Sequence, residues 1–169
     1  MAAGSRSTWL AGVLAVAAVG CSKDRSSPPD PPATTAPQAA DCGHAACGPN
    51  FFVDATQAGD CAQGANCAIT LSLVATGAFH INDEYPYKFR ADDAAGFTFL
   101  GTDAAGPNVF SKAASNWQKT GAQTGAMTVG FQSVRKGKAS VSGTFKLSVC
   151  SAQNCQLEQQ TVTVPVAIR

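Results

Sequence analysis

The reactive side chains of this sequence are its cysteines. Cys21 stands alone near the N-terminus, and six more form three close pairs: Cys42 with Cys47, Cys61 with Cys67, and Cys150 with Cys155. Each pair brackets turn-like residues: Gly43 with Ala45-Ala46, Ala62 to Asn66, and Ser151 to Asn154. An even count in an exported chain implies disulfides. Connectivity is not fixed by sequence, since six cysteines allow about 15 pairings, but the three local bridges are the expected set. A loop this short contributes about 2 kcal/mol in the chain-entropy model, against about 4.6 for a bridge spanning some ninety residues. Such bridges staple tips, and the core must come from burial. Zinc is the competing use. The spacings C-x4-C, C-x5-C and C-x4-C are not the C-x2-C of common zinc knuckles, although His44 lies inside the first pair. No metal and no other cofactor is expected. Cys150 and Cys155 have a second use, thiol exchange, which needs a nearby cation or helix N-terminus and access to a partner. Along the chain only Lys146 is close.

Other polar residues give weaker chemistry. His80 reads as a partly buried, hydrogen-bonded histidine, since no partner residues for catalysis or metal binding can be named. Asp83 with Glu84, and Asp92 with Asp93, read as solvated turns, because adjacent side chains on extended chain point to opposite faces. Tyr85, Tyr87 and Phe89 could line a carbohydrate or peptide surface, but aromatics on a strand more often belong to a core. No Ser-His-Asp order, phosphate loop or H-E-x-x-H helix occurs. A non-enzymatic protein is therefore expected.

The elements that would carry these groups are strands. Ala139, Val141, Gly143, Phe145, Leu147 and Val149 alternate with polar residues, and Val162, Val164, Val166 and Ile168 repeat the pattern after the Ser151–Asn154 break. Period two marks a strand with one buried face. Placing Cys150 opposite Cys155 sets Val141 against Val164 and Gly143 against Val162, so both apolar stripes share one side; a one-residue slip would put one in water. Glu158 then falls on the inner parity and Leu157 on the outer, which predicts a twist or bulge near the turn. Pro165 predicts an edge strand, or a position where no partner needs its N–H.

The rest of the globular part reads in the same way. Phe51–Val53, Cys67–Ala75, Phe79–Asn82, Tyr85–Phe89, Phe97–Leu100 and Met127–Phe131 are candidate strands, and Pro86 suggests an edge or a strand start. Residues 101–124 are the least patterned. A helical turn or a strand around Val109 and Phe110 is expected there, with Trp117 packing onto the sandwich. About seven strands with no long amphipathic helix predict an all-β fold, an immunoglobulin-like antiparallel sandwich over 41–169, with an up-and-down barrel as the alternative.

The N-terminus gives an address. Arg6 precedes an apolar run from Trp9 to Val19, which is too short to span a bilayer stably. Ala18-Val19-Gly20-Cys21 resembles the bacterial lipoprotein cleavage box. That resemblance implies a signal peptide over 1–20, lipidation of Cys21 and a cell-envelope location. By resemblance to enterobacterial sorting, Ser22 after the cysteine implies the outer membrane, facing the periplasm or the cell surface. Residues 21–40, rich in proline, form an expected disordered tether, about 3 Å per residue where extended. The charge balance is +1 over the whole chain, and removal of Arg6 with the signal leaves 11 basic against 11 acidic residues. No basic stretch suits nucleic acid, which is not expected as a partner.

The stretch Phe145-Lys146-Leu147-Ser148-Val149-Cys150 followed by Cys155, with Phe79-His80-Ile81-Asn82 earlier, resembles the N-terminal domain of the thiol–disulfide reductase DsbD. The resemblance implies an immunoglobulin-like sandwich with a redox pair near its end, at Cys150 and Cys155. The expected function is a lipid-anchored envelope protein acting as a disulfide-stapled binding or structural module. Thiol–disulfide exchange through Cys150 and Cys155 is the alternative. The expected partners are the membrane, through the anchor, and a protein or peptide at a sheet edge.

Overall fold

The computed structural model describes residues 42–169. The expected signal peptide, the expected lipidation site Cys21 and the expected tether lie outside the described residues. Strands β1 (Ala46–Gly48), β2 (Phe51–Gln57), β3 (Asn66–Ala75), β4 (His80–Ile81), β5 (Lys88–Ala91), β6 (Phe97–Phe99), β7 (Val109–Ser111), β8 (Trp117–Lys119), β9 (Thr124–Ser133), β10 (Gly137–Cys150) and β11 (Cys155–Ile168) follow one another, and no helix forms among the described residues.

They make two antiparallel sheets. One runs β1-β2-β3-β9-β6, with β8 also on β9; the other runs β11-β10-β5-β7, with β4 also on β10. In immunoglobulin terms β2-β3-β9-β6 is the order A-B-E-D and β11-β10-β5 is G-F-C, while β7, which follows β6 in the chain, is an added strand at the C edge. The fold is therefore an all-β immunoglobulin-like sandwich. Residues of one parity on each strand fill the space between the sheets. Ile69, Leu71 and Leu73 of β3, and Met127, Val129 and Phe131 of β9, meet Val141, Phe145 and Leu147 of β10 and the valines of β11 in one buried cluster.

The C-terminal hairpin has the register expected of it. Cys150 lies opposite Cys155, Val141 opposite Val164, and the ladder runs unbroken to Gly137 opposite Ile168. Of the twist or bulge expected near its tip, no bulge forms. Glu158 pairs in regular register with Leu147 and stays half-buried on the inner parity, while Leu157 is exposed on the outer. A polar inner face is tolerated there because it meets the polar β1–β2 turn rather than the apolar core: Asn50 Nδ2 donates to Gln156 Oε1 at 3.1 Å. Pro165 lies on an edge strand as expected. Two residues on, the Ala167 backbone exchanges hydrogen bonds with the Gln57 side chain rather than with β10. Residues two apart on a strand aim their backbone groups the same way, so the missing Pro165 N–H also belongs to the outward edge.

The unpatterned region forms short strands. From β5 the chain alternates between sheets through β6, β7 and β8 before returning along β9. Trp117 lands in the core, stacked on Tyr87 with ring centroids 4.0 Å apart. It fits because residue 125 of the neighbouring strand is glycine: a Cβ there would stand 2.3 Å from the Trp117 ring.

Candidate functional site

The six described cysteines form three local disulfides, Cys42–Cys47, Cys61–Cys67 and Cys150–Cys155. Two of them clamp opposite ends of β11. Cys150–Cys155 closes the hairpin tip. The Cys61–Cys67 loop holds the C-terminus, where Arg169 N–H donates to the Cys61 carbonyl and Gln63 N–H donates to the Arg169 carbonyl. His44 is occupied away from the sulfurs, stacked on Phe52 at 4.1 Å and paired with Asp54 at 2.6 Å.

The hairpin tip has one feature that chain order conceals. Strand β4 puts His80 directly opposite Cys150 and Ile81 opposite Val149. His80 is exposed, contrary to the partly buried histidine expected. The reason is parity: Ile81 takes the inward position, so its neighbour faces out. Cys155 is exposed and Cys150 is buried. Lys146, the cation expected near this pair, is four residues back on β10 and lines a different part of the sheet.

Beside the tip, the partner of β10 is interrupted. From Val149 to Lys146 β10 advances three residues, while its partner advances seven, from Ile81 to Lys88. The excess, 82–87, folds over the outer face. Tyr87 pins it. Its hydroxyl donates to the Ser148 carbonyl at 2.6 Å and accepts from the Asn82 N–H at 2.9 Å. Asn82 Nδ2 donates to Ser148 Oγ at 3.3 Å. Ser148, on the outer parity of its strand, is thereby fully buried. Burial pushes the Tyr87 phenol well above its ordinary range, and the nearby Asp83 charge adds to this, while the Asn82 N–H opposes it. Of the three aromatics considered as a ligand surface, Tyr87 and Phe89 are core, and Tyr85 alone keeps partial exposure. Asp83 holds Lys119 at 2.6 Å; that hydrogen bond, with the charges of Lys119 and Lys112, keeps its carboxyl below the usual range.

A second loop covers the far side of the same face. Val109 and Ser111 of β7 share the outward parity of their partners Arg90 and Lys88, yet both are buried. Residues 101–107 lie over them: Gly101 N–H donates to the Pro107 carbonyl at 2.7 Å, and Ser111 Oγ donates to Asp103 Oδ2 at 2.5 Å. That bond, the Ala105 N–H and the charges of Lys88 and Arg90 hold the Asp103 carboxyl below the usual range.

Between the two loops the sheet is open. Lys88, Arg90, Thr144, Lys146 and Gln159 line a hollow of about 400 Å³. A smaller one of about 240 Å³ continues it, sharing Lys146 and Gln159 and bordered by Tyr85, Leu157 and Glu158. Lys88 is directly opposite Lys146 in the ladder, and Arg90 is opposite Thr144. Ion pairs among the described residues are His44–Asp54, Lys119–Asp83 and Arg169–Asp60; none involves the three cations of this basin. Sequence reasoning passed over this group. The outward parity of Lys88 and Arg90, flanking the buried Phe89, was a signal, but their meeting with Lys146 was not.

No family model matches the chain, and no curated protein matches its sequence. Among solved structures, the chain is similar to AggA, the major subunit of aggregative adherence fimbriae type I from Escherichia coli, at 8% identity and a TM-score of 0.33, covering 71% of this chain and 96% of that one. The fold assignment rests on the strand order given above.

Proposed function

We propose that this chain is a lipid-anchored module of the bacterial cell envelope, non-enzymatic, that holds a disulfide-stapled sandwich on a tether and presents a sheet face for binding. The carrying observation is the way the disulfides are spent. They clamp both ends of β11 and the loop before β1, and they leave the outer face of the β11-β10-β5 sheet open and cationic. Three disulfides suit an oxidising compartment outside the cytoplasm. The lipid anchor and the outer-membrane location rest on the Gly20-Cys21-Ser22 step. Growth of the producing cells with an alkyne-labelled fatty acid tests them. The full chain should carry the label and sediment with outer-membrane fractions, and Cys21→Ala should do neither. A Cys21→Ala chain that still takes up label and sediments would remove the anchor.

A second reading, disulfide exchange at Cys150–Cys155, is favoured by the position of His80. In it, a thiolate of a dithiol partner attacks the exposed Cys155 sulfur. The sulfur–sulfur bond breaks, and Cys150 leaves as a thiolate at the strand position opposite His80, whose ring N–H is the nearby donor. The partner's second thiolate then displaces Cys155, so the partner is oxidised and the pair reduced. This is the activity implied by the likeness to the DsbD N-terminal domain. A reduction potential above about −300 mV, with a mixed disulfide trapped on Cys155 in Cys150→Ala, supports exchange; a lower potential with no trapping leaves a structural staple.

A further inference from the structure

We propose that the basin on the outer face of β5, β10 and β11 is a binding site for an acidic oligosaccharide, with carboxylates held by Lys88, Lys146 and Arg90 and a sugar ring packed on Tyr85. The inference deepens the binding-module reading and rests on it.

Charge is the first argument. Lys88 and Lys146 occupy a directly paired position, where like charges repel and weaken a sheet. Arg90 lies one outward position further along β5, about 7 Å away at strand spacing. No described carboxylate pairs with any of the three, and Asp103, the acid whose titration they affect, has its hydrogen bonds committed to Ser111 and the Ala105 N–H. A face needing only solubility would interleave charges of both signs. A ligand bearing anions a few ångströms apart relieves the repulsion.

Shape is the second. The 82–87 loop, held to Ser148, brings Tyr85 to the border of the smaller hollow, and the two adjoining hollows have room for more than a single inorganic anion.

Strand pairing separates the ligand classes. Apart from Gln159 of the edge strand β11, the floor is made by central strands. β10 is paired on both sides, by β11 and by β5, and β5 is paired by β10 and β7. Their backbone groups are committed to the ladders, so an extended peptide laid on this face could not satisfy its own N–H and C=O groups; β-augmentation belongs to edges. A sugar brings hydroxyls instead. Thr144 and Gln159 in the floor, and Tyr85 at the rim of the adjoining hollow, are the uncharged partners such a ligand needs. The C–H face of a pyranose carries partial positive charge and packs on the negative face of an aromatic ring.

The test is calorimetric titration of the full-length chain in non-ionic detergent with oligogalacturonate, a pyranose oligomer with one carboxylate per ring. Its methyl ester, poly-L-glutamate and inorganic phosphate are the comparisons. The acid oligomer should bind with sub-millimolar affinity and its neutral ester should not. Lys88→Gln and Lys146→Gln should each lower affinity about tenfold, the worth of one charge-assisted hydrogen bond, while their urea midpoints hold or rise as the repulsion is relieved. Tyr85→Ala should weaken the oligomer without changing any phosphate binding. Absence of oligomer binding, an affinity untouched by the lysine variants, equal binding of ester and acid, binding of phosphate alone, or poly-L-glutamate binding as tightly with the same variant losses would each overturn the assignment. The fatty-acid labelling is independent of all of these, so a failed anchor and a failed ligand are told apart.

Discussion

Replacing Tyr87 by phenylalanine keeps the ring and removes one oxygen. The ring stays stacked on Trp117, at 4.0 Å and 13° between planes, so packing is retained. What goes is the donor to the Ser148 carbonyl and the acceptor for the Asn82 N–H. The Ser148 residue is fully buried, and its carbonyl takes this bond where the partner strand of β10 is interrupted. Leaving a buried carbonyl unpaired costs about 1–3 kcal/mol. Asn82 is half-buried and can recover water, so its share is smaller, about 0.5–1 kcal/mol. Tyr87→Phe should therefore destabilise the domain by about 1.5–4 kcal/mol. Equilibrium urea unfolding under oxidising conditions reads this as a lower midpoint at an unchanged slope. The same residue sets an alkaline limb. Its phenol titrates above the unfolded value in the folded state, because burial disfavours the anion. The protein should thus hold this contribution fully below about pH 10 and lose about 1.4 kcal/mol per pH unit above it, as the unfolded chain ionises and the folded one does not. Lysine titration is common to both proteins and cancels in the difference. A midpoint within about 0.5 kcal/mol of the parent, or the same alkaline limb with and without the hydroxyl, would refute the view that Tyr87 fastens the 82–87 loop.

Three further outcomes are expected. Gly143→Ala should destabilise by at least about 2 kcal/mol in the same assay, since its Cβ would stand 2.3 Å from the Arg90 carbonyl oxygen and 2.9 Å from Ala91 Cα, both backbone atoms of the neighbouring strand. Replacing Cys150 and Cys155 together by serine should cost about 2 kcal/mol by urea midpoint, the value for a short closed loop, and leave the far-ultraviolet circular dichroism of the sheet unchanged. Asp54→Asn, which removes the exposed partner of His44, should change stability by less than about 1 kcal/mol, seen as a near-constant thermal midpoint.

Much of this molecule is written locally. Side-chain direction on a strand repeats every two residues, so the valines of 162–168 and the alternation of 139–149 carried the burial pattern and, with a short turn between them, the pairing of Val141 with Val164. Close cysteine spacing carried the three bridges for a related reason: loops of five or six residues bring their own ends together. At the tip of the hairpin the polar residues of the inner parity suggested a twist or bulge, but the ladder stays regular, and nothing in the sequence told that Gln156 there meets Asn50 of the β1–β2 turn.

The basin was beyond the reach of any local pattern. Lys88 and Lys146 become neighbours only because β5 pairs with β10, and His80 reaches Cys150 only because β4 takes up the same strand four residues out of step. Sequence alone determined which residues face in, since that depends on the backbone pleat of each strand by itself. The three-dimensional structure decided which outward residues meet and which loops fold over them, because strand order and the path of the covering loops are settled by the packing of the whole sandwich.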